Sequence, residues 1–332
     1  MTDTAFRTGA TERRFSLDLR ALSPFIALVV LIIAGSLVNP DFLTISNLTN
    51  VATRSAFIAI IAVGATFVIA SGGLDLSVGS MAALVAGVMI LTLNKVGGAD
   101  SATLVAGMAA AIGLSVACGL ANGLIVTFGR IEPFIVTLGT MGIFRSLVVW
   151  LAAGGTITMR NADLRELYRP IYFGDIFGIP IPIIVFLVVA GIGALILYKT
   201  SFGRHVVALG SNEEVARYSG VPIWRVRTLV YVIQGVCVGI AVLVYVPRLG
   251  SATPTTGLLW ELQAITAVVV GGTALKGGIG RIGGTVIGAI ILELVANIMV
   301  LSNFVSEFLV GAVQGAIIIV AMLLQRSLHR GR

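Results

Sequence analysis

Charge is what this sequence has least of. Asp, Glu, Lys and Arg make up 11% of its 332 residues, less than half of the about 25% with which a soluble domain solvates its surface. Hydrophobic residues supply 57%, and mean hydropathy is +1.04. An ordinary water-soluble globule is excluded, and most of the surface must face lipid. Cysteine and histidine are also scarce, two of each. Cys118 and Cys237 stand alone in apolar runs, without a CxxC or a His cluster, so neither a disulfide framework nor a metal site is expected. The residues before the three lysines, Lys95, Lys199 and Lys276, are Asn94, Tyr198 and Leu275, so there is no GxxxxGK[ST] loop to cradle a nucleotide. No HExxH and no paired nucleophile and base occur, which leaves an intramembrane enzyme nothing to rest on. Glycine is plentiful at 40 residues but has no Gly-X-Y period, so collagen is excluded.

What the chain does have is long apolar runs. Marked off at charges, prolines and polar clusters, they lie at 21–38, 55–70, 77–93, 102–128, 134–153, 176–197, 228–246, 262–275, 282–301 and 306–325. The first follows a polar leader with Arg7, Arg13, Arg14 and Arg20, and is too long for a cleaved signal, so it reads as an uncleaved anchor. The spans at 55–70 and 262–275 are short and adjoin glycine clusters, which predicts broken or re-entrant helices. The expected fold class is all-α, a polytopic membrane helix bundle of about ten transmembrane helices with both termini cytoplasmic. In that arrangement fifteen of the 22 basic residues fall on inner segments and six on outer ones, with Arg145 inside a span; Arg54 counts among the outer ones. This is the asymmetry of the positive-inside rule. The net charge of +7 therefore reports orientation, and no nucleic acid is expected as a partner. The domain plan is a cytoplasmic tail at 1–20, a transmembrane domain at 21–325 with a cytoplasmic loop at 199–227, and a second tail at 326–332.

A weak internal echo is present. Val63-Gly64-Ala65-Thr66, Gly72-Gly73-Leu74 and Gly79-Ser80 read like Val270-Gly271-Gly272-Thr273, Gly277-Gly278-Ile279 and Gly284-Thr285, offset by 207 and then 205 residues. Chance similarity of glycine-rich helices and the internal duplication common in transporters are both open readings.

The longest inner hydrophilic loop, 199–227, carries Ser211-Asn212-Glu213-Glu214, a helix start with a cap residue and acids in the first turn. Gly220 and Pro222 stop that helix after about two turns. It is either a rigid knob that receives force from a soluble partner or a solvated connector. Asp75, two residues before Ser77 opens a helix, is either a gate or hinge, or a carboxylate capping that helix. Arg145 and Glu293 are the deep ionisable residues, each eleven positions beyond the inner start of its span, at 134 and 282. Their matched depth leaves two readings, that they pair or share a polar cavity or that each snorkels separately to water. Asn122, Gln234, Asn297 and Gln314 also lie inside spans, where they either line a polar pathway or hydrogen-bond between helices. Gly-x3-Gly pairs at 119/123, 235/239, 284/288 and 311/315 fit close helix packing.

Glu214-Val215-Ala216-Arg217-Tyr218-Ser219-Gly220 resembles the EAA-x3-G motif of ABC importer permeases, with Val215 in place of the first Ala. Ser71-Gly72-Gly73-Leu74-Asp75-Leu76-Ser77-Val78-Gly79-Ser80 is similar to the SGGIDLSVGS signature of ribose/xylose/galactose-type sugar permeases. Val269 to Gly278 is similar to the same family's VVIGGTSLxGG. With Phe202-Gly203-Arg204 these motifs cover roughly residues 40–325. The resemblance implies a permease subunit of an importer for a monosaccharide at the bacterial inner membrane, with an ion-coupled secondary transporter as the alternative. It implies ATPase coupling through Gly203, Arg204, Asn212, Glu213, Glu214, Ala216 and Gly220, while the glycine-rich turns make Gly72, Gly73, Asp75, Ser77, Gly277 and Gly278 the candidate gate or hinge. The implied partners are a cytoplasmic ABC ATPase holding ATP and Mg, a periplasmic sugar-binding protein, a second permease copy in a homodimer, and membrane lipid. No cofactor is expected on this chain, and the sugar itself is not written in it.

Overall fold

The computed structural model describes residues 19–302 together with 309, 311–313, 315, 316 and 319. The predicted span at 306–325 is therefore described only in part. Gln314, residues 1–18 and the tail at 326–332 lie outside the described residues. The chain runs α1 (Leu19–Val38), α2 (Ile45–Ala70), α3 (Val78–Val96), α4 (Ser101–Gly129), α5 (Pro133–Leu151), β1 (Ile157–Thr158), α6 (Ala162–Tyr168), α7 (Pro170–Phe173), β2 (Asp175–Ile176), β3 (Ile179–Pro180), α8 (Ile181–Lys199), α9 (Ser201–Ser211), α10 (Glu213–Tyr218), α11 (Ile223–Leu249), β4 (Ser251–Ala252), α12 (Trp260–Val270) and α13 (Ile282–Ser302). Among the described residues seven helices, α2, α3, α4, α5, α8, α11 and α13, are long and apolar enough to cross a membrane. The apolar part of α1, Ser23–Val38, and α12 are shorter. The strands are two-residue pairs: β1 lies antiparallel to β4, with Ile157 opposite Ala252, and β2 with β3 forms a hairpin.

Capping residues set several helix starts. Thr44 Oγ1 accepts from Asn47 N at 3.3 Å to open α2, and Asp100 Oδ1 accepts from Thr103 N at 2.9 Å to open α4. Hydrogen bonds from the Thr103 side chain and N–H hold the Asp100 carboxyl below its ordinary value. Because α2 begins at Ile45, the expectation of a short, broken helix at 55–70 is corrected. Arg54 does not end the run, because it stands within α2, where a carboxylate on α13 faces it. At α12 the expectation of a short span holds, with 11 residues.

The centre of the bundle is α2, whose residues from Ile58 to Ala70 are all buried, packed on α11, α13, α8 and α12. Small residues let the backbones meet. A Cβ on Gly119 would lie 2.3 Å from Tyr231 O, and one on Gly235 would lie 2.3 Å from Ser115 O, so α4 and α11 touch at two facing Gly-x3-Gly pairs. On α13, Gly284 and Gly288 likewise meet Gly271 O and Ala267 O of the α12 side, at 1.9 and 2.0 Å from the added Cβ. Among the described residues Gly311 and Gly315 make no such approach: a Cβ on Gly311 would meet only Leu259 Cδ1 at 3.9 Å, and one on Gly315 nothing within 4 Å. Helices α4, α5 and α8 expose apolar side chains such as Leu124, Ile135, Leu187 and Ile192, a surface suited to lipid.

The internal echo has a structural counterpart in a shifted register. Helix α2 ends with Gly72 N donating to Ile69 O and Gly73 N to Val68 O, both at 2.9 Å. Helix α12 ends with Gly272 N donating to Val269 O at 2.9 Å and Thr273 N to Val268 O at 3.1 Å. The two capping glycines have φ of 86° and 85°. Gly72 thus corresponds to Gly272, not to Gly277. The sequence pairing went astray because the second copy carries extra residues, Gly277 and Gly278 among them, between its cap and its next helix.

Candidate functional site

The short helix α10 is built from its ends. Asn212, extended at φ −162°, turns the chain out of α9, and its Oδ1 accepts from Val215 N at 3.0 Å. At the other end Val221 N donates to Ala216 O at 3.0 Å and Gly220 N to Arg217 O at 3.1 Å, the paired bonds of a Schellman motif. Gly220 sits at φ 78° with nothing within 4 Å of an added Cβ, so its requirement is conformational. Substituting alanine there costs about 1–2 kcal/mol of left-handed strain. Gly220→Ala is accordingly expected to speed hydrogen exchange at the amides of 215–221 by roughly tenfold, measured by mass spectrometry. An unchanged exchange rate would contradict the motif's role.

Glu213 fixes α10 to the bundle. Its Oε1 accepts from Arg217 Nη2 at 2.8 Å, and its Oε2 accepts from Arg227 Nη2 on α11. Ala216 faces inward and is buried, whereas Val215 and Tyr218 are 60% and 90% exposed. Of the residues assigned to coupling, Gly203 is packed against α8, where its Cβ would lie 2.0 Å from Leu197 O. Arg204 and Glu214 are exposed. Within the expected loop at 199–227, Ser201–Ser211 is instead the helix α9, capped by Thr200 Oγ1 accepting from Gly203 N at 3.2 Å. Phe202, Val206 and Leu209 recur at helical spacing, and that periodicity was the available signal.

Helix α9 ends where the two glycine turns meet. A Cβ on Gly210 would lie 2.0 Å from Ala70 O and 2.6 Å from Gly278 N. Gly278 N itself donates to Ala70 O at 2.9 Å. Gly277, at φ 84°, would place a Cβ 2.7 Å from Gly210 O and 3.0 Å from Gly72 Cα. Three backbones, from α9, the α2–α3 turn and the α12–α13 turn, are therefore in direct contact without intervening side chains. The first of them, α9, leads through Ser211 and Asn212 into α10. Gly210 was not singled out from the sequence, because nothing local marks it.

Beyond the junction, residues 71–77 are non-helical and enter the packed interior. Leu74 O accepts from Tyr231 Oη at 3.3 Å and from Thr137 Oγ1 at 3.4 Å. Asp75 Oδ1 accepts from Ser77 N at 2.9 Å and from Ser77 Oγ at 2.6 Å, and Asn122 Nδ2 donates to Ser77 Oγ at 2.9 Å. The carboxylate thus holds Ser77, the residue that precedes α3, in an Asx turn, and a buried hydrogen-bond chain ties it to α4. Gln234 is fully buried between α11 and α2, its Nε2 donating to Ile61 O at 3.4 Å. Asn122 and Gln234 both sit at helix–helix contacts.

The predicted pairing of Arg145 with Glu293 is corrected. Arg145 Nη1 donates to Thr256 O at 2.9 Å and to Pro254 O, latching the 253–259 segment. Beneath that segment Gly79 and Gly257 touch, since a Cβ on Gly79 would lie 2.1 Å from Gly257 O. Glu293 instead faces Arg54, with Oε1 3.9 Å from Nε. Matched depth did not bring the first two together because α5 and α13 are not neighbours in the bundle. Asn297 exchanges amide hydrogen bonds with Asn47 at 2.8 and 3.0 Å. Among the described residues no cluster of His, Cys, Asp and Glu suits a metal ion.

Comparison with known proteins gives one consistent picture. The family described as branched-chain amino acid transport system, permease component, matches residues 47–322. The ribose import permease protein RbsC of Bacillus subtilis is 39% identical, with 95% of this chain and 96% of that protein aligned. RbsC of Haemophilus influenzae is 38% identical over 93% of both chains. The L-arabinose transport system permease protein AraH of Escherichia coli K12 is 35% identical over 92% of this chain and 90% of that one.

Proposed function

This chain belongs to the family of branched-chain amino acid transport system permease components, and from that premise we propose how its geometry works. It is the permease subunit of an ABC importer that moves a monosaccharide across the bacterial inner membrane, and its part is transport, not catalysis. Its relatives are named for ribose, allose and arabinose, so the solute is a sugar of that size. ATP and Mg are held by a separate cytoplasmic ATPase, which agrees with the lack of a P-loop here. A periplasmic binding protein delivers the sugar, and a second copy of this chain completes the pathway.

The observation that carries the mechanism is the backbone junction of Gly210 with the two glycine turns. The ATPase docks on α10, whose exposed Val215 and Tyr218 offer an apolar grip beside Glu214. Closure of the ATPase pair on ATP displaces α10. Because Asn212 N donates to Ala208 O of α9 and Glu213 is held by Arg227 of α11, the displacement is carried to Gly210. From there it moves the α2–α3 and α12–α13 turns, and through 71–77 the buried Asp75–Ser77–Asn122 chain. ATP thereby shifts a two-state equilibrium by contacts that differ between its states. With α10 in the cytoplasm, α1 to α5, α8, α11, α12, α13 and the segment at 306–325 make ten spans with both termini inside. Lys199, Arg204, Arg217, Arg225 and Arg227 then lie on the cytoplasmic side.

Proteoliposomes holding this permease, its ATPase and its binding protein should accumulate labelled ribose, arabinose or allose only when ATP is present on the cytoplasmic face. Uptake that persists without the ATPase and collapses with an uncoupler would replace this reading with ion-coupled transport.

A further inference from the structure

The seam between α2 and α13 carries three facing polar pairs: Asn47 with Asn297, Arg54 with Glu293, and Thr66 with Thr285. The outer two are closed. Asn47 and Asn297 exchange their amides, and the Thr66 and Thr285 hydroxyls lie 2.8 Å apart in the buried interior. The middle pair is open. Its one approach, Arg54 Nε to Glu293 Oε1 at 3.9 Å, is beyond hydrogen-bond range. Among the described residues neither side chain makes a hydrogen bond, so a planar fork of donors and a carboxylate remain unclaimed. The side chains are 50% and 23% exposed.

Glu293 stands midway along α13, so this half-exposed ion pair lies near mid-membrane. Ionic groups at that depth face water or a polar route, because hydrocarbon cannot solvate them. One turn along α2 from Arg54 is Phe57, whose ring packs against Trp260 at 5.0 Å and Tyr245 at 5.3 Å. A partly buried aromatic ring one turn from a donor fork and a carboxylate is complementary to a sugar. The C–H face meets Phe57, and neighbouring hydroxyls accept from guanidinium and donate to carboxylate. A site held this loosely suits a solute that must leave again.

We propose that Arg54 and Glu293 form a transit subsite that takes the neighbouring hydroxyls of a monosaccharide halfway across the membrane. This deepens the sugar-import reading and rests on it. The reconstituted transporter with its ATPase and binding protein is assayed for labelled ribose imported per ATP hydrolysed. In Glu293→Gln and in the charge-conserving Arg54→Lys, that ratio is expected to fall about tenfold, the effect of losing a hydrogen bond to a charged group. A ratio equal to wild type, whether uptake and hydrolysis fall together or neither falls, would show the pair to be structural and overturn the proposal. In a second arm, Arg54→Cys with Cys118 and Cys237 replaced by alanine is treated with a membrane-impermeant thiol reagent. Labelling is expected, and an inert thiol would overturn the proposal as well. Failure of the sugar-import reading is distinguishable, since the wild-type protein would then import no sugar with ATP.

Discussion

Gly210→Ala is expected to reduce ATP-driven sugar uptake by roughly a hundredfold while the protein still reaches the membrane. The new methyl carbon would stand 2.0 Å from Ala70 O and 2.6 Å from Gly278 N. Neither atom is a flexible side-chain end that could swing away. Both are backbone, and they hydrogen-bond to each other at 2.9 Å. Relief requires α9 to back away from both glycine turns, and that separation breaks the direct backbone contact through which α9 and α10 meet the α2–α3 turn. Overpacking of this kind costs about 1–3 kcal/mol, too little to unfold a bundle of this size but enough to depopulate the coupled geometry. Gly139→Ala and Gly191→Ala are the controls, since an added Cβ at either meets nothing within 4 Å. Uptake in inverted or right-side-out vesicles, normalised to permease on immunoblots, is the measurement. A Gly210→Ala protein that transports like its controls would remove the junction from the mechanism.

Tyr218→Ala is expected to weaken capture of the ATPase by about thirtyfold, the scale of an aromatic hot spot. Tyr218 is 90% exposed at the last position of α10. With Val215 one turn earlier, it forms an apolar ridge on a helix that is anchored to the bundle through Ala216 and Glu213. Ala216 is buried beneath that helix, and Glu213 is held by Arg217 and Arg227. A large aromatic left in water by a rigid stub gains from burial in a partner's groove, and little of its entropy remains to be lost. Removing it should lower the amount of ATPase that copurifies with the permease, and binding measured in detergent or nanodiscs should weaken accordingly. Glu213→Gln acts differently, since it loosens α10 on its own bundle. It should spare docking more than it spares uptake. Tyr218→Ala with undiminished ATPase binding would place the contact elsewhere on 199–227.

The two residues at these contacts were legible to different degrees. The α10 helix could be read directly, because Asn212 as cap, Glu213 and Glu214 in the first turn, and Gly220 as terminator act within a few residues of one another. Its exposed ridge could not, since the family motif points to Ala216 and the acids, while exposure depends on which face α9 and α11 leave uncovered. Gly210 had no local mark at all. The Gly72 and Gly277 turns stood out as glycine pairs, but that they meet each other and Gly210 depends on contacts between residues up to about two hundred positions apart. The equivalence of Gly72 with Gly272 was hidden by a short insertion and became visible only through identical capping bonds.

From sequence alone follow the membrane as solvent, the apolar runs that become the seven long spanning helices, the family resemblance, the absence of a P-loop motif and the short capped helix. Each rests on composition or on interactions reaching no farther than a helical turn or two. Tertiary structure decided the partners: Arg145 with the 253–259 carbonyls, Glu293 with Arg54, and Gly210 with both turns. Hydropathy sets how deep a residue lies, but it is silent on how each helix is rotated and which helices stand beside it. Those two quantities determine every long-range contact in this bundle.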